Sequence, residues 1–301
     1  MPENSSSIAD HLGALFKKLD AAKLTPYTIL KSKAHKEHYE TILMFAFRKL
    51  QAARYHLRQV EGHLKAEETH LKKLEKTGPT GKGKLSAVSA NVSINSTANE
   101  FVYELSAFLA AIRSSIDFLA MACAQHLKGV DAKSMTTLLS LVEKGKTGSI
   151  LDTIAKDQDW LCQIRDYRDF LVHRLVIGAT AGGQVEWKHG QAVTTAYPVI
   201  VPSKTPKHVP DTRMARALHE PDQNLIIKTS EGVVTYPDGS QKLLHHSVEM
   251  EPAEGYIRIE DLMKRELEAF EAFFVRILDE LSKLDFASVS LKAPAPPVTS
   301  G

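Results

Sequence analysis

With 301 residues, 43% hydrophobic and 25% charged, the chain has an ordinary globular composition and is long enough to bury a real core in one large domain or two small ones. A formal net charge of +2 argues against a strongly basic nucleic-acid-binding domain, and two cysteines argue against a disulfide framework or a cysteine zinc site. No cationic-then-apolar leader opens it and no uncharged apolar run approaches the roughly 20 residues of a membrane helix, so the expectation is a cytoplasmic protein with no membrane partner.

The charge is unevenly spread. Residues 31–80 hold 11 Lys/Arg against 6 Asp/Glu, whereas residues 249–285 hold 5 against 11. Such runs read as two solvated helix surfaces of opposite sign, or as a basic face for a polyanion.

Residues 1–31 read as a polar tail, MPENSSS, and a short amphipathic helix marked by Ile8, Leu12, Leu15, Phe16 and Leu19. Thr25-Pro26 interrupts it. Residues 32–178 read as a helical bundle. It opens with one long helix to Lys76, on which Leu43, Leu50, Leu57, Leu64 and Leu71 recur every seven residues. Ala46, Ala53, Val60, Glu67 and Leu74 hold the matching second position, which makes a five-heptad seam. At 1.5 Å per residue this helix spans about 65 Å, so it is expected to project or to pair along its length with another helix or subunit.

Residues 77–96 are rich in Gly, Ser, Thr and Asn and read as a loop. Thr97 and Glu100 form a capping box for a helix whose core stripe is Phe101, Leu105, Phe108, Leu109, Ile112, Ile116, Leu119 and Cys123. Arg113 and Asp117 sit beside that stripe at i, i+4, the spacing of a surface salt bridge. Shorter helices follow at about 132–144 and 149–156.

The stretch 157–178, DQDWLCQIRDYRDFLVHRLVIG, reads as a helix capped by Asp157 or Asp159 and stopped by Gly178. Trp160, Leu161, Ile164, Leu171 and Leu175 form its apolar stripe, in which Arg168 also falls. Arg165, Asp169 and His173 follow one another at i, i+4 on the neighbouring face. Residues 179–259 then alternate turn residues with β-branched runs, including a hairpin turn at 236–240, and read as a β-rich segment. Helix returns over 260–285 behind Leu262, Leu267, Phe270, Phe273, Phe274, Ile277, Leu278 and Leu281, and 286–301 read as a disordered tail.

An apolar helix that carries Arg, Asp and His toward its end points to a site. Arg, four residues and His occurs at Arg168–His173 and at Arg58–His63, with a one-residue-longer version at Arg213–His219. Only the first combines an apolar helix, a polar residue after the Arg and the right place in the order of elements. No metal is expected, because His56, His63 and His70 lack the second Glu-x-x-His helix that a di-iron bundle needs. They read as flanks of the seam. His245 and His246 point to opposite faces of a strand, and no phosphate-cradling Gly-Lys-Ser/Thr loop occurs, so no cofactor is expected.

At Arg168-Asp169-Phe170-Leu171-Val172-His173 the chain resembles the HEPN superfamily, whose ribonuclease members carry Arg, four to six residues and His near the end of a long bundle helix. The helix order over 35–178 and 260–285 and the segment FLAAIRSSIDFLA at 108–120 resemble it as well. The resemblance implies a mainly α fold: an up-and-down bundle with a β-rich insertion before the last helix. It further implies a homodimer with two motifs facing one cleft, and a metal-independent endoribonuclease of the toxin or defence kind acting on RNA. Arg168 would hold phosphate, His173 would take the 2′-hydroxyl proton, and Asp169 would orient the imidazole. Arg113, Asp117, Arg165 and Arg174 would support the substrate. The resemblance has a limit at Leu175, where some relatives carry Tyr and a nucleotide-modified toxin system. Nothing in the chain names a cognate inhibitor. The competing reading is a non-catalytic HEPN-like dimerisation, interaction or nucleotide-binding module that uses the 35–76 helix as its seam.

Overall fold

The computed structural model describes residues 3–25, 28–76, 88–90, 98–173, 182–188, 191–205, 225–235 and 241–286. Among them the chain is mainly helical: α1 (Glu3–Asp20), α2 (Lys33–Lys76), α3 (Ala98–Ala124), α4 (Met135–Glu143), α5 (Ser149–Lys156), α6 (Gln158–His173) and α7 (Ile259–Lys283). The strands are β1 (Val88–Ala90), β2 (Gly182–Lys188), β3 (Gln191–Tyr197), β4 (Ile200–Pro202), β5 (Leu225–Thr235), β6 (Gln241–Pro252) and β7 (Tyr256–Arg258). Two compact units divide the chain. One takes Met1–Gln51, Ala111–Leu161 and Glu268–Gly301; the other takes Ala52–Ala110 and Cys162–Leu267.

In the first unit α1 begins at Glu3, earlier than the polar opening suggests, because an acidic residue and serines suit a helix N-terminus. Its Ile8, Leu12, Leu15 and Leu19 are buried with Leu43, Ala46 and Leu50 of α2. The buried Ser115 hydroxyl of α3 donates to the Ala46 carbonyl at 2.6 Å, and Phe45 of α2 packs on Phe118. From α7, Phe270 and Phe273 stack on Trp160. Asp157 opens α6, its carbonyl accepting the Leu161 N–H, but its carboxylate is held by Arg276 through two N–H bonds of 2.7 and 3.2 Å. Capping by that side chain thus gives way to a fork-like ion pair with α7.

In the second unit the seam continues through the buried Ala53, Leu57, Val60 and Leu71. Its partner is α3, which runs antiparallel: His56 Nδ1 lies 2.7 Å from Glu104 Oε2, and the His63 ring meets Phe101. Most of the heptad face is therefore buried within the chain itself, with Leu64 and Leu74 half-buried. Each leucine removed from water there contributes about 1.5–3 kcal/mol, which is why the long helix lies down. α3 is long and apolar enough to cross a membrane by composition, yet all eight of its stripe residues are buried in the protein.

The strands of the second unit form three antiparallel sets. β1, β2 and β3 pair in that order, β4 pairs with β7, and β5 pairs with β6. β1 lies within the stretch read as a loop; its Val-Ser-Ala extends because Val185–Trp187 offer it a ladder. The run 192–201 splits at Pro198, which has no N–H for a ladder, so β3 follows β2 while β4 turns to β7. β5 and β6 flank the expected turn at 236–240, itself outside the described residues. Their register slips beside Gly232, where the smallest residue eases a bulge.

Candidate active site on α6

α6 is held from one side. In the second unit Ile164, Tyr167, Phe170 and Leu171 are buried. The Tyr167 hydroxyl donates to the Pro202 carbonyl at 2.8 Å, and burial pushes that hydroxyl far above its ordinary pKa. Arg265 of α7 donates to the Ser203 carbonyl and the Glu266 carboxylate, at 2.8 and 2.6 Å. Strand β4 and the start of α7 thereby fix the helix that carries the motif.

The other side of α6 carries two Arg–Asp pairs one turn apart. Arg165 bonds Asp166 and Arg168 bonds Asp169, each at 2.8 Å. Arg168 does not join the apolar stripe; Tyr167 takes the buried place beside Leu171. The Arg168 side chain is 35% exposed and that of Asp169 is 51% exposed, so the pair is solvated. The cost of burying a cation explains the arrangement. The Asp166 carboxylate raises the Arg165 guanidinium above its ordinary pKa, with Asp169 a smaller influence. Arg165 and Asp169, expected to meet at i, i+4, each bond an adjacent residue instead. Asp169 therefore accepts from Arg168. His173 is the last residue of α6. Its side chain, Arg174 and the stop at Gly178 lie outside the described residues.

Arg113 and Asp117 belong to the first unit and do a structural task there. Arg113 donates to Thr136 Oγ1 at 2.9 Å and lies 3.4 Å from Asp117 Oδ2. Asp117 Oδ1 accepts the Met135 N–H at 2.9 Å, at the start of α4, where Ser134 makes no side-chain cap. The surface salt bridge expected at this spacing is a helix cap built across two elements.

Elsewhere, His56 and His63 are drawn to carboxylates of α3, Glu104 and Glu100, rather than left as solvated flanks of the seam. The described residues hold no cluster of three or more metal-binding side chains. Of the Arg58–His63 pair, His63 thus joins the α2–α3 packing while Arg58 is exposed, and Arg213–His219 lies outside the described residues. Cys123 is buried, which pushes its thiol up to about 12, while Cys162 is half-buried. Sequence reasoning missed two anchors of α6: Tyr167, and Glu266, whose carboxylate accepts from the Gln163 amide of α6 at 3.5 Å. Glu266 carried a signal: it stands four residues from both Leu262 and Phe270, inside the apolar stripe of α7.

Fold and site together define a mainly helical protein that displays a ladder of guanidinium–carboxylate pairs on one half-buried helix. Comparison with protein-family models, curated proteins and solved structures found no match for this chain.

Proposed function

We propose that this is a HEPN-like, metal-independent endoribonuclease, a helical bundle with a β-rich insertion before its last helix, acting as a homodimer. The observation that carries the reading is the solvated Arg168: a guanidinium on a firmly anchored helix, five residues before His173. One Arg168 N–H is engaged by Asp169, and the planar fork has further donors for a phosphate. Arg168 and His173 are about 140° apart on the helix, five steps of roughly 100°, so the arginine must swing toward the imidazole's groove.

His173, with an ordinary pKa near 6.5 for its residue type, accepts the proton of an RNA 2′-hydroxyl. The 2′-oxygen bonds to phosphorus, the bond to the 5′-oxygen breaks, and that oxygen takes a proton from solvent. The products are a 2′,3′-cyclic phosphate and a 5′-hydroxyl. Arg168 steadies the charge that builds on the phosphate oxygens. The competing reading is a non-catalytic interaction module on the 35–76 helix, where Leu43, Leu50, Leu57 and Leu71 of the seam are buried.

The test is incubation with bulk tRNA in EDTA. Cleavage by the wild type, lost in both Arg168→Ala and His173→Ala with unchanged circular dichroism, supports the reading. An inactive wild type overturns it.

A further inference from the structure

Over residues 41–60, along α2, the chain places Arg48, Lys49, Arg54 and Arg58 with no Asp or Glu. On the same stretch Tyr55 is 50% exposed, and on α3 Tyr103 is 69% exposed; they are the two most exposed large apolar side chains among the described residues. Neither ring serves the core. Both belong to the second unit, as do Arg54 and Arg58.

Their placement follows from one bond. His56 meets Glu104 at 2.7 Å between antiparallel helices. One residue back from each lie Tyr55 and Tyr103. A step of one residue turns the side chain by about 100°, and in antiparallel helices the two turns have opposite senses. Both rings therefore leave the contact line on the same outer side, separated by about the 8–10 Å between packed helix axes. The Tyr55 ring also rests edge-on against His56, 5.3 Å between centroids. On α3 the Glu104 carboxylate lies 2.7 Å from His56 and that of Glu100 lies 3.5 Å from His63. What faces solvent is two aromatic rings, with the exposed Arg58 three residues along α2 from Tyr55.

We infer that this face of α2 and α3 is a stacking platform for single-stranded RNA. Bases lie on Tyr55 and Tyr103, and Arg58 contacts the phosphates. Rings supply a sequence-tolerant surface because every base has a π-face, and the cations follow the backbone. Choosing RNA rests on the ribonuclease reading; the stacking chemistry does not.

The experiment measures binding apart from cleavage, by fluorescence anisotropy of a labelled 12-nucleotide pyrimidine-rich RNA with protein carrying His173→Ala. Tyr55→Ala and Tyr103→Ala are each expected to raise Kd by about 5- to 100-fold, the range for loss of one base–aromatic stack. Tyr55→Phe and Tyr103→Phe, which keep the rings, are expected within about twofold of the parent. Arg58→Ala lowers the slope of log Kd against log salt by about 0.7, as for one single-strand phosphate contact. A duplex of the same sequence binds at least tenfold more weakly, and equal affinity for the matching single-stranded DNA supports the platform. Alanine variants that bind like the parent while remaining folded overturn it, as does duplex binding as tight as single-strand binding. Tyrosine-dependent binding without any cleavage by the wild type sinks the nuclease and leaves the platform; cleavage indifferent to both tyrosines does the reverse.

Discussion

Asp117 Oδ1 on α3 accepts the backbone N–H of Met135 at 2.9 Å, and so closes the open first turn of α4 from a different helix. Arg113 holds the other carboxylate oxygen at 3.4 Å and reaches Thr136 as well. Asp117→Ala is expected to cost about 1–2 kcal/mol, since a helix N-terminus loses its acceptor. Asp117→Asn, which keeps an oxygen there, costs less. Urea denaturation measures both. tRNA cleavage should be unchanged in folded protein, and its loss would return this pair to the substrate site.

Arg276 and Asp157 set the junction between α5 and α6. Arg276→Ala strands a largely buried carboxylate, so a loss of about 1–3 kcal/mol is expected by thermal or chemical unfolding. Arg276→Lys should recover less than half of it, because an ammonium cannot reproduce the two-pronged geometry.

His126 makes stability pH-dependent. Its Nε2 lies 2.9 Å from the buried Tyr39 hydroxyl, and its Nδ1 has no hydrogen-bond partner among the described residues. Burial, with the nearby His35 charge a smaller cause, lowers it to about 4. The Phe286 ring covers it, and burial raises both Tyr39 and Cys123, keeping them neutral through this range. The unfolded histidine titrates near 6.5, so between pH 6.5 and 4 the unfolded chain binds a proton that the folded one refuses. Stability is fully present above that window and falls by up to roughly 3 kcal/mol as pH drops through it. Urea midpoints at pH 7.5, 5.5 and 4.5 should show the decline, and His126→Phe should flatten it whatever its effect at pH 7.5.

Leu50 and Leu57 test where the seam is buried. Each should cost about 2–5 kcal/mol on change to Ala, a cavity being left in a packed core. Because the cover comes from the same chain, the loss should not vary with protein concentration over a hundredfold range. A concentration-dependent loss would move the cover to a second subunit.

Arg168→Lys is expected to change stability by less than about 0.5 kcal/mol, since the pair with Asp169 is solvent-exposed. On the proposed chemistry it should nevertheless reduce tRNA cleavage at least tenfold, because the planar fork is lost. Equal losses in stability and cleavage would mark Arg168 as structural.

Helix positions could be read from the sequence wherever apolar spacing was continuous. All eight stripe residues of α3 are buried, and so are the eight of α7. Polar partners were less legible. Arg165 and Asp169 had the spacing to meet, but each bonds its sequence neighbour of opposite charge, Asp166 and Arg168. β1 carries no strand pattern of its own, being three residues that extend against a sheet edge 95 residues further on, and Pro198 hid a change of partner inside one β-branched run.

The amino-acid order alone determined which faces of α3 and α7 are apolar, since that follows from a local period of 3.6 residues. It also set the Arg168-to-His173 interval on one helix. Only the tertiary structure decided that most of the long seam is buried within the chain, that Asp117 caps α4, and that Arg168 pairs with Asp169 at a partly exposed place. Those outcomes depend on which groups distant in the chain arrive beside one another, and no local pattern encodes the competition among hydrogen-bond partners that settles them.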